Sequence, residues 1–142
     1  MKRTIIISII MTLFFATTSE AASQSYLNRK INDLNKETYK FQDMLDPTLE
    51  ALYQYCDLAK TNSFGPGFER LFREEEIDTK IEELKEKDGY IQDQTKELAQ
   101  SLYDSGYTAD ADDMIDKANR QNDDRVNSIR DILKQYSECL DK

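Results

Sequence analysis

The sequence predicts an all-α protein: an up-down-up bundle of three long helices behind an N-terminal export signal. Three observations predict it. Apolar residues recur at alternating steps of four and three in three long stretches, which puts one apolar seam on each of three helices. Two glycine-bearing breaks, at 62–68 and 104–106, separate those stretches. Two cysteines, Cys56 and Cys139, fall near the ends of the first and third stretches, and in an up-down-up bundle those ends share one pole.

The export signal comes first along the chain. Lys2 and Arg3 form a basic start, residues 5–16 form an apolar run, and Ser19 and Ala21 occupy the small-residue positions of a cleavage site. The run is shorter than the ~20 residues of a comfortable bilayer span, so residues 1–21 read as a cleavable secretory signal peptide and 22–142 as one helical bundle domain. The compartment implied is secreted or periplasmic. No cysteine follows the cut, which argues against a lipid anchor.

The first helix is expected to start at Ser23 or Ser25, either of which can cap it. Its seam is Leu27, Ile31, Leu34, Thr38, Phe41 and Leu45. Asp46-Pro47 then either kinks the helix or ends it, with Asp46 capping a restart. The apolar phase continues through Leu49, Leu52, Cys56 and Ala59, which favours the kink. Gly65-Pro66-Gly67 cannot continue a helix and marks a reversal.

Phe68, Leu71 and Phe72 open the second helix, slightly out of phase with its later seam, and are expected to close one end of the core. That seam runs Ile77, Ile81, Leu84, Ile91, Leu98 and Leu102, with Asp88 and Thr95 where apolar groups belong. Gly89 weakens the helix by ~1 kcal/mol relative to alanine. Gly106 suits the left-handed position that ends a helix, and Thr108 is the expected cap of the third. The third seam is Ala111, Ile115, Ala118, Ile129, Ile132 and Tyr136, interrupted by Asn122 and Arg125 and widened by Val126, Leu133 and Leu140.

The shared pole makes a Cys56–Cys139 disulfide the natural pairing in an exported chain, against the alternative of two buried thiols. Closing so long a loop stabilises by up to about 4.5 kcal/mol in the chain-entropy model.

Residues 98–107 (LAQSLYDSGY), followed by the acidic start of the third helix, resemble the second turn of a spectrin-type repeat, and the three-helix layout and heptad phase are similar over most of the exported part. The first helix lacks the tryptophan usual in that family, and an export signal is atypical of it. The resemblance implies a three-helix fold and a spacer or docking module.

Composition narrows the chemistry. The chain has no histidine, which removes Ser-His-Asp and Cys-His catalysis and His-ligated haem or zinc. The carboxylates at 74–76, 82–83 and 123–124 read as solvated helix faces. Asp110, Asp112, Asp113 and Asp116 lack the loop of a calcium site and suit a helix start, where the dipole favours anions. There is no glycine-rich phosphate loop and no Cys-x-x-Cys pair. The expectation is a non-enzymatic protein with no cofactor and no metal.

The net charge is −9; losing Lys2 and Arg3 removes two positive charges and losing Glu20 one negative, which leaves −10. That charge disfavours nucleic acid and anionic membranes and suits a basic partner. Tyr39 and Tyr53, two heptads apart and off the seam, form a candidate docking stripe. Phe64 and Phe68 flank the Gly-Pro-Gly turn and either cap the bundle or offer an apolar loop to a partner. The leading expectation is an accessory or adaptor subunit of an extracytoplasmic assembly, such as a bacterial secretion or pilus system. The alternatives are a chaperone or inhibitor that masks a basic client, and a carrier holding a small ligand near Asp88, Asn122 and Arg125.

Overall fold

The computed structural model describes residues 21–141, so residues 1–20, nearly all of the predicted signal, lie outside the described residues. Three helices follow one another: α1 (Ala21–Thr61), α2 (Glu69–Asp104) and α3 (Thr108–Leu140). At 1.5 Å per residue α1 is about 60 Å long. The turns reverse the chain twice, giving the expected up-down-up bundle, and α2 packs against both neighbours. Among the described residues no helix is long and apolar enough to cross a membrane.

The core is one cluster along the three seams. Leu27, Phe41, Leu52 and Tyr55 of α1 meet Ile77, Leu84, Ile91 and Leu102 of α2 and Ala111, Met114 and Ile132 of α3. Each seam keeps the four-three step, so the buried positions stay on one side of a helix for its whole length.

The helix ends explain themselves chemically. Asn62 has φ 48° and Gly106 φ 86°. At the first turn Ser63 N–H donates to the Leu58 carbonyl (2.9 Å) and Asn62 N–H to that of Ala59 (3.3 Å). At the second, Tyr107 N–H donates to Leu102 (2.9 Å) and Gly106 N–H to Tyr103 (3.0 Å). Both are Schellman closures, in which a left-handed residue turns two amides back on orphan carbonyls. Gly106 behaves as the sequence predicts. The first terminator is Asn62, whose short polar side chain tolerates φ above zero, and the Gly-Pro-Gly run only completes the turn.

Two starting points differ from expectation. Ser23 and Ser25 lie inside α1, so neither caps it. Thr108 is the first residue of α3 and the cap position falls on Tyr107, because the Schellman closure uses Gly106 and Tyr107 and leaves no further linker. Helix α1 runs through Pro47 without ending, as the continuous apolar phase favours, so Asp46 caps no restart. Pro47 is exposed, so the carbonyl it leaves unpaired one turn back can meet water. Beside it the buried Thr48 hydroxyl donates to the Met44 carbonyl (2.8 Å). That bond lets a threonine fill a seam position, while Leu45 and Leu49 are only partly buried.

Candidate protein-docking surface

Cys56 and Cys139 are bonded, with Cα atoms 5.3 Å apart across a separation of 83 residues. They tie α1 to α3 at the pole that also holds the first turn. Around them a polar lock joins all three helices. The buried Tyr55 hydroxyl donates to Glu74 Oε1 (2.6 Å), Arg70 Nε donates to the same oxygen (3.0 Å), and the Tyr136 hydroxyl donates to the Glu74 carbonyl (3.3 Å). The Tyr55 hydroxyl's hydrogen bond, followed by that of Arg70, holds the Glu74 carboxyl below the usual glutamate range. Burial, reinforced by Glu74, pushes the Tyr55 hydroxyl up, and burial pushes that of Tyr136 far up. Phe64 completes the lid: it is partly buried, with its ring centroid 5.3 Å from that of Tyr55 and the Arg70 guanidinium 5.4 Å from its own.

Phe68 does not share this role. It is 68% exposed, Phe72 67% and Leu71 59%. The expectation that these three close the core is therefore corrected. Phe68 precedes Ile77 by nine residues, and at 100° per residue that places it about 180° away, on the opposite side of the helix. Phe72 lies about 140° from Ile77 by the same count. The cluster is apolar, but its phase turns it to solvent. Two shallow hollows flank it, one lined by Pro66, Phe68, Glu69, Phe72, Arg73 and Glu76, the next by Phe72, Glu75, Glu76, Thr79, Lys80 and Glu83. The sequence signal that reveals this surface is the rotation from the Ile77 seam.

Tyr39 (50% exposed) and Tyr53 (54%) face outward on α1, as their register requires. They stand about 21 Å apart along the axis and about 40° apart around it. Between α1 and α2, Glu37 accepts from Lys40 (2.6 Å) on its own helix and from Lys87 (2.6 Å) across the groove. The bonds from Lys40 and then Lys87 hold the Glu37 carboxyl below its ordinary range.

The polar seam positions are spent on one another. Arg125 Nε donates to Asp88 Oδ1 (2.7 Å), both side chains are almost fully buried, and Gln92 donates to the other Asp88 oxygen (2.7 Å). Asn122 Oδ1 is buried without a hydrogen-bond partner among the described residues. The ligand reading of Asp88 and Arg125 thus competes with a direct ion pair that joins α2 to α3.

The acidic start of α3 is similarly occupied. Asp112 accepts from the Tyr103 hydroxyl and Asp113 from Lys117 (2.7 Å). Among the described residues no group of three or more carboxylates, thiolates or imidazoles is arranged to hold a metal ion.

No protein-family model, no curated protein and no solved structure matches this chain.

Proposed function

We propose that this chain is an exported, non-enzymatic protein-binding module that serves as an accessory or adaptor subunit of an extracytoplasmic assembly, such as a bacterial secretion or pilus system. The observation that carries the reading is the exposed Phe68–Leu71–Phe72 surface beside a pole fastened by a disulfide and by the Glu74 lock. Exposed aromatic clusters on a rigid support are characteristic of docking surfaces, because little side-chain and backbone freedom is lost when a partner arrives. The disulfide fits an oxidising compartment, secreted or periplasmic, and so does the signal-like layout of residues 1–21. The absence of histidine leaves few groups suited to proton transfer near neutral pH.

Crosslinking in the source cells, followed by mass spectrometry, tests the proposal. A single partner captured in stoichiometric amount supports an assembly subunit. A chain that crosslinks to no protein overturns it.

A second reading, the masking of a basic client, is favoured by the charge of −10 on the exported part. Many partners in substoichiometric amounts, released steeply by salt, would favour masking over assembly.

A further inference from the structure

The geometry points to a cationic amphipathic helix of a partner protein as the occupant of the Phe68–Leu71–Phe72 surface, an inference that rests on the docking reading above. The apolar residues sit at the start of an acidic face. Glu75 and Glu76 follow Phe72 by three and four residues and so continue its side of the helix. Glu83 extends that side by two further turns. Phe72 and Glu76 line both shallow hollows, so the two form one track. From Phe68 to Glu83 the track is about 22 Å long, the length of about four helical turns.

The charges along it are unequally spent. Arg73 is bound to Glu69 (3.0 Å) and Arg70 to Glu74 (3.0 Å), so neither arginine neutralises the outer face. Glu75, Glu76 and Glu83 make no ion pair among the described residues, and Lys80 is the one cation lining the same hollows that is also without one.

A partner without positive charge would strip water from Glu75, Glu76 and Glu83 and give nothing back. An isologous pairing with a second copy would lay one acidic face against another, which like-charge repulsion opposes. A helix with leucine-like residues on one face and lysine or arginine beside them satisfies both halves of the track. Its apolar side covers Phe68, Leu71 and Phe72, and its cations meet the three glutamates.

The test uses the exported chain with its disulfide intact and, as probe, a labelled 18-residue amphipathic helix of leucine and lysine. Its leucine–glutamate counterpart and a leucine–lysine scramble without an apolar face serve as controls. The expected result is binding of the leucine–lysine helix alone. The double variants Phe68→Ser with Phe72→Ser, and Glu75→Lys with Glu76→Lys, each weaken it roughly tenfold or more. All four residues are exposed, so the variants keep the fold, which circular dichroism checks. Equal binding of the scramble, or no loss in the serine variant, overturns the proposal.

Photo-crosslinkers placed singly at Phe72 and Tyr53 in the source cells separate this inference from the reading beneath it. Capture at Phe72 of a segment with clustered lysine or arginine supports both. Capture at Tyr53 but not Phe72 leaves the docking module standing and overturns this surface. Capture of a second copy, or of an acidic segment, at Phe72 overturns the cationic occupant. Capture at neither position overturns this surface, and if the chain as a whole also crosslinks to no protein the docking reading falls with it.

Discussion

Asp88 and Arg125 occupy positions where their seams call for apolar side chains, and each is buried against the other at 2.7 Å. Taking two charges out of water is costly, and their attraction only roughly repays it. We expect the pair to supply register: a slide of α2 against α3 by a heptad would still match apolar residues, but only one alignment joins this acid to this base. The asymmetry can be measured. Asp88→Asn or Arg125→Met, which strands one charge, should lower unfolding free energy by ~3–5 kcal/mol, whereas Asp88→Leu combined with Arg125→Met should recover most of that loss. Urea titration of the three variants reads this directly. If the double variant is as unstable as the singles, the pair contributes net stability as well as register. Tyr55 makes the companion case. Its hydroxyl serves a carboxylate that Arg70 also holds, so Tyr55→Phe should cost about 1.5–3 kcal/mol, the usual value of a hydrogen bond to a charged group. A change under 0.5 kcal/mol in the same titration would show that Arg70 alone holds Glu74.

At the scale of the element, the seams were legible because period is a property of sequence alone. Ile77, Ile81, Leu84, Ile91, Leu98 and Leu102 are all buried. Phase is harder to read where apolar residues crowd together. In α3 the fully buried residue of the second turn is Met114, while Ile115 is only partly covered. Ile115 is the more apolar of the two, and it also keeps the strict alternation of fours and threes from Ala111 through Ala118 to Asn122, so both signals select it; the bundle buries Met114, three residues after Ala111 and four before Ala118, which shifts the phase by one residue in this turn. In α2 composition hides the candidate docking surface: Phe68, Leu71 and Phe72 look like core by composition and face solvent by rotation. Among the candidate contact residues, Tyr39 and Tyr53 were legible because their register lies squarely off the seam. Phe64 and Phe68 could not be divided between core and surface until the turn placed one over Tyr55 and the other beyond it.

Gly89 tests how far helix propensity governs α2. A Cβ built there meets nothing within 4 Å, so Gly89→Ala should stabilise the bundle by about 0.5–1 kcal/mol. Thermal unfolding would show it as a rise in midpoint. A fall would mean that α2 needs the looser backbone at this point in its length.

Across the whole molecule, stability is divided between a slim core and links that act at its pole and along the α1–α2 groove. The disulfide closes a loop spanning most of the described chain, so replacing both cysteines by serine should remove up to about 4.5 kcal/mol. The pole should loosen first, since Tyr55, Glu74 and Tyr136 lose the tether that keeps them in reach, and hydrogen exchange at 52–59 and 132–139 should quicken before that at 84–91. Uniform quickening would instead mean that the bundle opens as a single unit.

The pH dependence follows from the same links. Glu37 and Glu74 have carboxyl groups held below their ordinary value, so the unfolded chain takes up their protons first on acidification. Their contribution is fully present above the ordinary glutamate range near 4.5 and is lost as the pH falls through their lower folded values. Tyr55 and Tyr136 are shifted the other way, so their contribution is whole below the ordinary value near 10 and is lost as the pH rises past it. A plateau between about pH 5 and 10 should therefore fall away on both sides. The net negative charge acts against the acid limb, because protonation also relieves repulsion among the many surface carboxylates. The Glu37→Gln variant separates the two effects. If the Lys40 and Lys87 bonds dominate, its stability should decline less between pH 5 and 3 than that of the parent chain. If general repulsion dominates, both proteins should grow more stable over that interval and their curves should run parallel.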